Sequence, residues 1–352
     1  MNESVKKIQD FLSVDTAALI FSSPNRFYLT NFNTDAGIVF ITKHSAMFFT
    51  DPRYLEKAKE MSVLPVKDIK NYTEQINGIC TLNGIKDILT EISHLNVAGF
   101  KSLKEKLTAE MLDCDDLDLF LAKMRSVKSD REIFLIKSAQ KLTDATFEFI
   151  LPRIEVGRTE REIMLDMEFF MRRHGSEGTA FDFVVVSGKN SSLPHGIPSE
   201  KRIENGDFLT MDFGAVIGGY RSDMTRTVAI GKISDEQKAV YNTVLKAQTA
   251  SLDGITAGVR CCDIDKIARD IIEYEYSGCF GHGLGHSVGI EIHENPALNT
   301  CDNTVLLPNM VMTVEPGIYL EGKFGVRIED MVIVTDTGYE NITKAEKELI
   351  IL

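Results

Sequence analysis

One pattern occurs twice in the second half of this 352-residue chain. Ile154-Glu-Val-Gly157 leads into a helix expected from Thr159, and Ile255-Thr-Ala-Gly258 leads into one expected near Asp263. Farther on, Asn205-Gly206-Asp207-Phe-Leu-Thr-Met-Asp212-Phe-Gly214 parallels Pro308-Asn309-Met-Val-Met-Thr-Val-Glu315-Pro-Gly317. Each is followed by an aromatic residue (Tyr220, Tyr319) and then by an acid in a Thr- or Val-rich strand (Asp223, Glu329). A period of about 100 residues implies a duplicated α+β unit rather than a solenoid. Two copies related by a pseudo-twofold would each bring two carboxylates to a shared centre.

The spacing within each copy predicts how the acids meet. Asp212 lies in the apolar run 208–216 and Asp223 in the strand-like run 221–230, with Ile217-Gly218-Gly219 between them. A glycine turn there closes a β-hairpin. Equal arms would set Asp212 and Asp223 directly across from each other, with Cβ atoms about 5 Å apart. Glu315 and Glu329 flank a second turn at Glu321-Gly322-Lys323 in the same way. Like charges placed so are destabilising, and a lone buried ion costs several kcal/mol. Two divalent cations would set four positive charges against the four negative ones. Asp212, Asp223, His286, Glu315 and Glu329 therefore read as a two-metal site.

Histidine supplies the nitrogen. His286 sits in the glycine-dense run 281–289, where backbone can approach a ligand closely. His195, His282 and His293 are its companions; one imidazole is assigned to metal and three to substrate and transition-state work, and spacing does not decide which is which. Oxygen-rich ligation with one nitrogen favours Mn²⁺ or Co²⁺, with Zn²⁺ also admissible. Two ions about 3.5–4 Å apart can share a bridging hydroxide and clamp a tetrahedral oxyanion, so the reaction class is metal-assisted hydrolysis of an acyl bond.

The rest of the chain narrows the setting. Its length favours two domains. A net charge of −13 argues against a nucleic-acid partner. Cys80, Cys114, Cys261, Cys262, Cys279 and Cys301 form no C-x-x-C pair and read as thiols in a reducing cytosol. The N-terminus reads as an amphipathic helix rather than a signal peptide. No apolar run reaches the ~18–20 residues that span a bilayer. A soluble cytoplasmic protein without membrane contact is expected. The first half alternates strands and helices, with strands at 17–21, 37–42 and 46–50. Asp51-Pro52 is expected to open a helix, Asp51 as its cap. The acidic stretch 113–118 reads as solvated surface, and a long helix is expected over 131–149.

These motifs resemble the pita-bread metallopeptidases, specifically the Xaa-Pro branch of prolidases and aminopeptidases P. The resemblance covers nearly the whole chain. It rests on Leu193-Pro-His195-Gly, Met211-Asp212-Phe-Gly214, Tyr220-Arg-Ser-Asp223-Met-Thr-Arg-Thr, Gly283-Leu-Gly-His286, His293-Glu-Asn-Pro296, Glu315-Pro-Gly317 and Val326-Arg327-Ile-Glu329-Asp330, in this order. Residues 1–123, including Asp51-Pro-Arg-Tyr54, resemble a creatinase-type N-terminal α/β domain, and 124–352 resemble the pita-bread catalytic domain with its internal duplication. The resemblance implies that Asp212 binds one metal, that Asp223 and Glu329 bridge both, and that His286 and Glu315 complete the other site. It implies Glu315 as general base, His195 and His293 in the substrate pocket with His293 on the oxyanion, and His282 and Arg327 on substrate or ligand network. Small peptides with proline second would be the substrates and a homodimer the assembly. A methionine aminopeptidase is disfavoured by the extra N-terminal domain and by Leu193-Pro-His195. A non-catalytic binding protein is disfavoured because all five ligand positions keep ligand chemistry.

Overall fold

Apolar runs separated by polar turns build a six-stranded sheet in the first part of the chain. The computed structural model describes residues 3–352. It divides into two compact units, one ending at Met124 and the other spanning Arg125–Leu352. The first contains α1 (Glu3–Phe11), β1 (Thr16–Ile20), α2 (Ser23–Thr30), β2 (Ile38–Thr42), β3 (Ala46–Thr50), α3 (Leu55–Met61), β4 (Val66–Asp68), α4 (Tyr72–Asn83), β5 (Asp87–Thr90), α5 (Val97–Lys106) and β6 (Glu110–Met111), and α6 (Asp116–Ser126) follows. The strand order is β4-β3-β2-β1-β5-β6, antiparallel at β1–β2 and β2–β3 and parallel elsewhere. Leu19, Phe40, Phe49 and Ile88 from the sheet pack with Ile76 and Cys80 of α4. The three expected strands form. The helix expected at Pro52 does not: α3 begins at Leu55. The Asp51 carboxylate instead accepts through Oδ1 from the Arg53 backbone N–H at 3.0 Å and from Arg53 Nε at 2.8 Å, which closes a turn two residues on in place of a helix cap.

The second unit shows the duplication directly. Its elements are α7 (Asp130–Ile150), α8 (Glu160–Arg173), β7 (Val184–Ser187), β8 (Phe208–Phe213), β9 (Val216–Ile217), β10 (Tyr220–Arg221) and β11 (Met224–Ala229), then α9 (Asp235–Asp253), α10 (Cys261–Glu275), β12 (Gly285–Ser287), β13 (Glu294–Leu298), β14 (Val311–Val314), β15 (Gly317–Leu320), β16 (Phe324–Arg327), β17 (Asp330–Thr335) and β18 (Gly338–Asn341). The antiparallel run β7-β8-β11 in one copy matches β12-β14-β17 in the other. Capping boxes open the first helix of each copy, Ser129 with Glu132 and Ser234 with Gln237. Gly157 N–H donates to Ile203 O, and Gly258 N–H donates to Leu306 O, both at 2.9 Å. Where the first copy turns at Gly206 with φ +91°, the second uses Asn309 at φ +68°. Asparagine is the residue that best substitutes for glycine in the left-handed region.

Strand alternation decides which face carries chemistry. On β8, Leu209, Met211 and Phe213 join a core with Ile163 and Met167 of α8. On β14 and β17, Met312, Val314, Val332 and Val334 join a core with Ile264 and Ala268 of α10. Residues one step out of phase, among them Asp212, Thr225, Thr313, Glu315 and Glu329, point away from the helices. Among the described residues no helix is long and apolar enough to cross a membrane.

The hairpin register differs from expectation in one copy. The Gly218-Gly219 turn pins Ile217 to Tyr220, so its centre falls between the glycines, one position later than the midpoint of the two acids. Asp212 therefore pairs with Thr225, and Asp223 sits just beyond the Phe213–Met224 pair. The two aspartates are diagonal neighbours on one face rather than direct opposites. In the second copy Val314 pairs with Asp330 and Gly317 with Arg327, which leaves Glu315 opposite Glu329 as expected.

Candidate metal centre and substrate cleft

Every site residue expected from the sequence lines one cavity of about 1120 Å³ in the second unit: Asp212, Asp223, His286, Glu315, Glu329, His195, His282, His293 and Arg327. The four acids come from four strand ends, and His286 from the middle of β12. Donor atoms of Asp223, His286 and Glu329 lie within 4.8 Å of one another. His286 Nε2 is 3.3 Å from Glu315 Oε1 and 3.6 Å from Asp223 Oδ2.

Backbone and neutral side chains aim these groups. Glu315 N–H donates to Leu284 O at 2.8 Å, and Glu329 N–H donates to Thr225 O at 3.1 Å. Thr225 Oγ1 donates to Glu329 Oε2 at 2.8 Å. The Thr313 hydroxyl accepts from His286 N–H at 2.9 Å and lies 3.3 Å from Glu315 Oε1. His286 Nδ1 faces Ser287 O at 3.1 Å. A carbonyl can only accept, so Nδ1 carries a proton and Nε2 is the ring atom turned toward the acids. A lone pair facing carboxylates is unfavourable unless a cation or proton stands between them.

Arg327 is the fixed cation of the cluster. Its side chain is buried, with Nη2 2.5 Å from Asp212 Oδ2, Nη1 2.8 Å from Tyr319 Oη and 3.2 Å from Pro194 O, and Nε 3.0 Å from Thr225 Oγ1. His282 is committed as well: Nδ1 lies 2.8 Å from Gly283 O and Nε2 3.0 Å from Tyr319 Oη. His195 and His293 are exposed to the cavity, and the His293 ring stands edge-on to His286 at 4.5 Å. Thr225, Thr313 and Tyr319 were not among the expected site residues. Alternation would have found the first two, each two positions from an acid on the same strand face. Tyr319 was visible as a repeat marker only; its counterpart Tyr220 bonds Glu132 at 3.1 Å instead.

The electrostatics show a charge deficit. Burial, followed by the neighbouring acids, pushes Asp223 and Glu329 well above the usual carboxylate range. Burial also raises Asp212, although Arg327 opposes it. Burial acts in the same sense on Glu315, but His286, His282 and Arg327 outweigh it and hold its pKa below the ordinary value. Asp212 Oδ1, Asp223 Oδ1 and Glu329 Oε1 are buried with no hydrogen-bond partner, and among the described residues no other buried carboxylate oxygen is so placed. Orphaned anionic oxygens beside an imidazole nitrogen fit divalent cations of the hard to borderline kind.

The comparisons with known proteins agree with this chemistry. Residues 6–127 match the creatinase/prolidase N-terminal domain and residues 135–336 match metallopeptidase family M24. A protein named Xaa-Pro dipeptidase from Pyrococcus horikoshii is 40% identical over 99% of both chains. The solved structure of an Xaa-Pro dipeptidase from Bacillus anthracis superposes with a TM-score of 0.94 at 42% identity, covering 99% of each chain. That of an X-Pro aminopeptidase from Thermotoga maritima superposes at 0.90 with 36% identity, covering 98% of this chain and all of that one. The chain is a metallopeptidase of family M24, with a pita-bread catalytic domain preceded by a creatinase/prolidase N-terminal domain.

Proposed function

We propose that the protein hydrolyses the peptide bond before proline in dipeptides or short peptides whose second residue is proline. The observation that carries this reading is the set of orphaned carboxylate oxygens on Asp212, Asp223 and Glu329, gathered beside His286 at the floor of a peptide-sized cavity. The names of the relatives support the choice of proline. Asp212, Asp223, His286, Glu315 and Glu329 would hold two divalent ions, Mn²⁺ first, with Co²⁺ or Zn²⁺ as alternatives. When bound, such ions polarise the scissile carbonyl and make water nucleophilic near neutral pH.

The chain's own groups divide the remaining work. Glu315 stays deprotonated because His286 and the nearby cations hold its pKa down, so it can take a proton from the attacking water and return it to the proline nitrogen as that amine departs. That nitrogen has no proton of its own in an Xaa-Pro bond, so a donor is required. His293 presents an imidazole N–H to the developing oxyanion. His195 lines the pocket for the proline side of the peptide. Arg327, with both Nη atoms and Nε already engaged, holds Asp212 and the 193–195 segment rather than substrate. His282 supports Arg327 through Tyr319. The same reading takes 1–123 and 124–352 as the two domains and expects a cytoplasmic homodimer.

Hydrolysis of Xaa-Pro against Xaa-Pro-Xaa, with Mn²⁺ and with Co²⁺, tests it. Cleavage of the dipeptide alone identifies a prolidase, and cleavage of the tripeptide identifies an aminopeptidase P. Cleavage of neither, by protein that holds metal, overturns the reading.

A further inference from the structure

Outside the acid cluster, a few buried carboxylates have no ion-pair partner among the described residues, and one of them is wholly enclosed. Glu160 is the first residue of α8 and is 0% exposed. Its Oε1 accepts from Ser187 N–H at 2.6 Å, from the Ser187 hydroxyl at 3.1 Å and from the Asn190 amide at 3.1 Å. Its Oε2 accepts from Ser199 N–H at 3.1 Å and from the Ser199 hydroxyl at 2.7 Å, and lies 3.3 Å from Asn190 Nδ2. The start of a helix favours negative charge, and neutral donors occupy both oxygens.

What this carboxylate joins is informative. Ser187 ends β7, and Ser199 follows the loop 188–198 that leads away from it. That loop carries Pro194, His195 and Gly196 into the cavity wall. It is also held at its middle, where Gly325 N–H donates to Ser191 Oγ at 2.9 Å and Arg327 to Pro194 O at 3.2 Å. A Cβ on Gly325 would lie 2.2 Å from Ser191 O, so the loop rests directly on β16 backbone. An aliphatic residue would fill the volume of Glu160 without desolvating a charge. With one oxygen on Ser187 and the other on Ser199, the carboxylate closes the loop ends through a single side chain. It does so beside the Lys201 Nζ–Ser187 Oγ bond at 3.0 Å and the Arg161 N–H bond to Ser199 O at 3.1 Å. That closure limits where an exposed imidazole at the loop tip can wander.

We propose that Glu160 is the positioning residue for His195: it closes the 188–198 loop and so sets where His195 meets the peptide. The kinetic part of this rests on the reading of His195 as a substrate-contact residue. Glu160→Gln keeps the shape but turns an NH₂ toward N–H and O–H donors at one end of the loop. In the manganese-loaded full chain, amide hydrogen exchange over 188–198 should rise about tenfold in Glu160→Gln, because local opening becomes easier. KM for an Xaa-Pro substrate should rise by about tenfold with a much smaller change in kcat, as expected when a binding group is misplaced. Placed in a His195→Ala background, Glu160→Gln should add little further loss; placed in a His293→Ala background, it should add its full effect. Unchanged loop exchange, or losses that multiply equally in both backgrounds, would overturn the proposal. Should Glu160→Gln fail to fold, Ser199→Ala removes one donor and must move exchange the same way by a smaller factor; no change there is equally fatal. If wild type cleaves no Xaa-Pro bond, the functional reading falls, and the exchange experiment still decides whether Glu160 holds the loop.

Discussion

Glu294 offers a sharp quantitative test of how the cleft wall is held. Its carboxylate is almost wholly buried, 2.8 Å from Lys128 Nζ and paired with Arg125, whose other partner is Glu291 at 2.8 Å. Lys128 is 2% exposed and also donates to Arg125 O at 2.7 Å. Burial alone would raise the Glu294 pKa; Lys128 and Arg125 reverse that and bring it to about 2 from an ordinary 4.5. The folded-state value is depressed, so the contribution is fully present above the unfolded value and is lost as pH falls toward the folded one. A gap of about 2.5 units corresponds to ~3 kcal/mol at pH 7, falling to ~1 kcal/mol at pH 3. Glu294→Gln removes that charge and leaves Lys128 without its carboxylate, at an expected cost of ~3–5 kcal/mol at neutral pH. The chain has no tryptophan and more than one domain, so a single optical midpoint is a poor reporter. Hydrogen exchange in urea, read on peptides from residues 125–352, isolates the right unit. The difference between wild type and Glu294→Gln should shrink by ~2 kcal/mol between pH 7 and pH 3, because the unfolded chain's carboxyl takes up its proton over that range while the folded one, at about 2, stays largely ionised. A difference that stays constant across that range would show that shape, not charge, accounts for the loss.

Three further outcomes follow from the site. Glu315→Ala should lower kcat by about 10²–10⁴-fold and reduce the manganese retained after dialysis, measured by atomic absorption; a fully active variant would refute its assignment as general base. Manganese at ~100 times its Kd should stabilise wild type by ~2.7 kcal/mol, whereas metal-free Asp223→Asn should be at least as stable as metal-free wild type yet gain much less from the ion, because it loses a repelling charge and a ligand together; an equal manganese increment in both would contradict the charge argument. Gly285→Ala would set a Cβ 2.0 Å from Thr313 O, so β12 must part from β14 beside His286; a cost of about 1–3 kcal/mol or more in urea unfolding is expected, and wild-type stability would show that the strands yield freely.

The charged part of the site was legible because charge is conspicuous and duplication repeats it. Four acids at matched places in two copies predict a shared centre, and the cavity gathers all of them. The register was less legible, since it depends on which two residues form a turn rather than on where the acids lie. Centring the turn between Gly218 and Gly219 instead of at the midpoint of the two acids slides Asp212 from Asp223 to Thr225. That slide has a chemical consequence: it sets a hydroxyl opposite Asp212, and this hydroxyl donates to Glu329 and accepts from Arg327. A direct Asp212–Asp223 opposition would have left neither group a neutral partner there. Neutral aiming groups such as Thr225 and Tyr319 have no signature in composition, and Tyr319 meets His282 across 37 positions of chain, a distance no local periodicity spans. The helix start expected at Asp51 failed for a related reason: its carboxylate had two competing uses, and the guanidinium of Arg53 beside the Arg53 N–H decided between them. Fully buried ionisable groups with neutral partners, Glu160 above all, are the hardest to anticipate, because what keeps them is a set of N–H and O–H donors that only the folded backbone brings together.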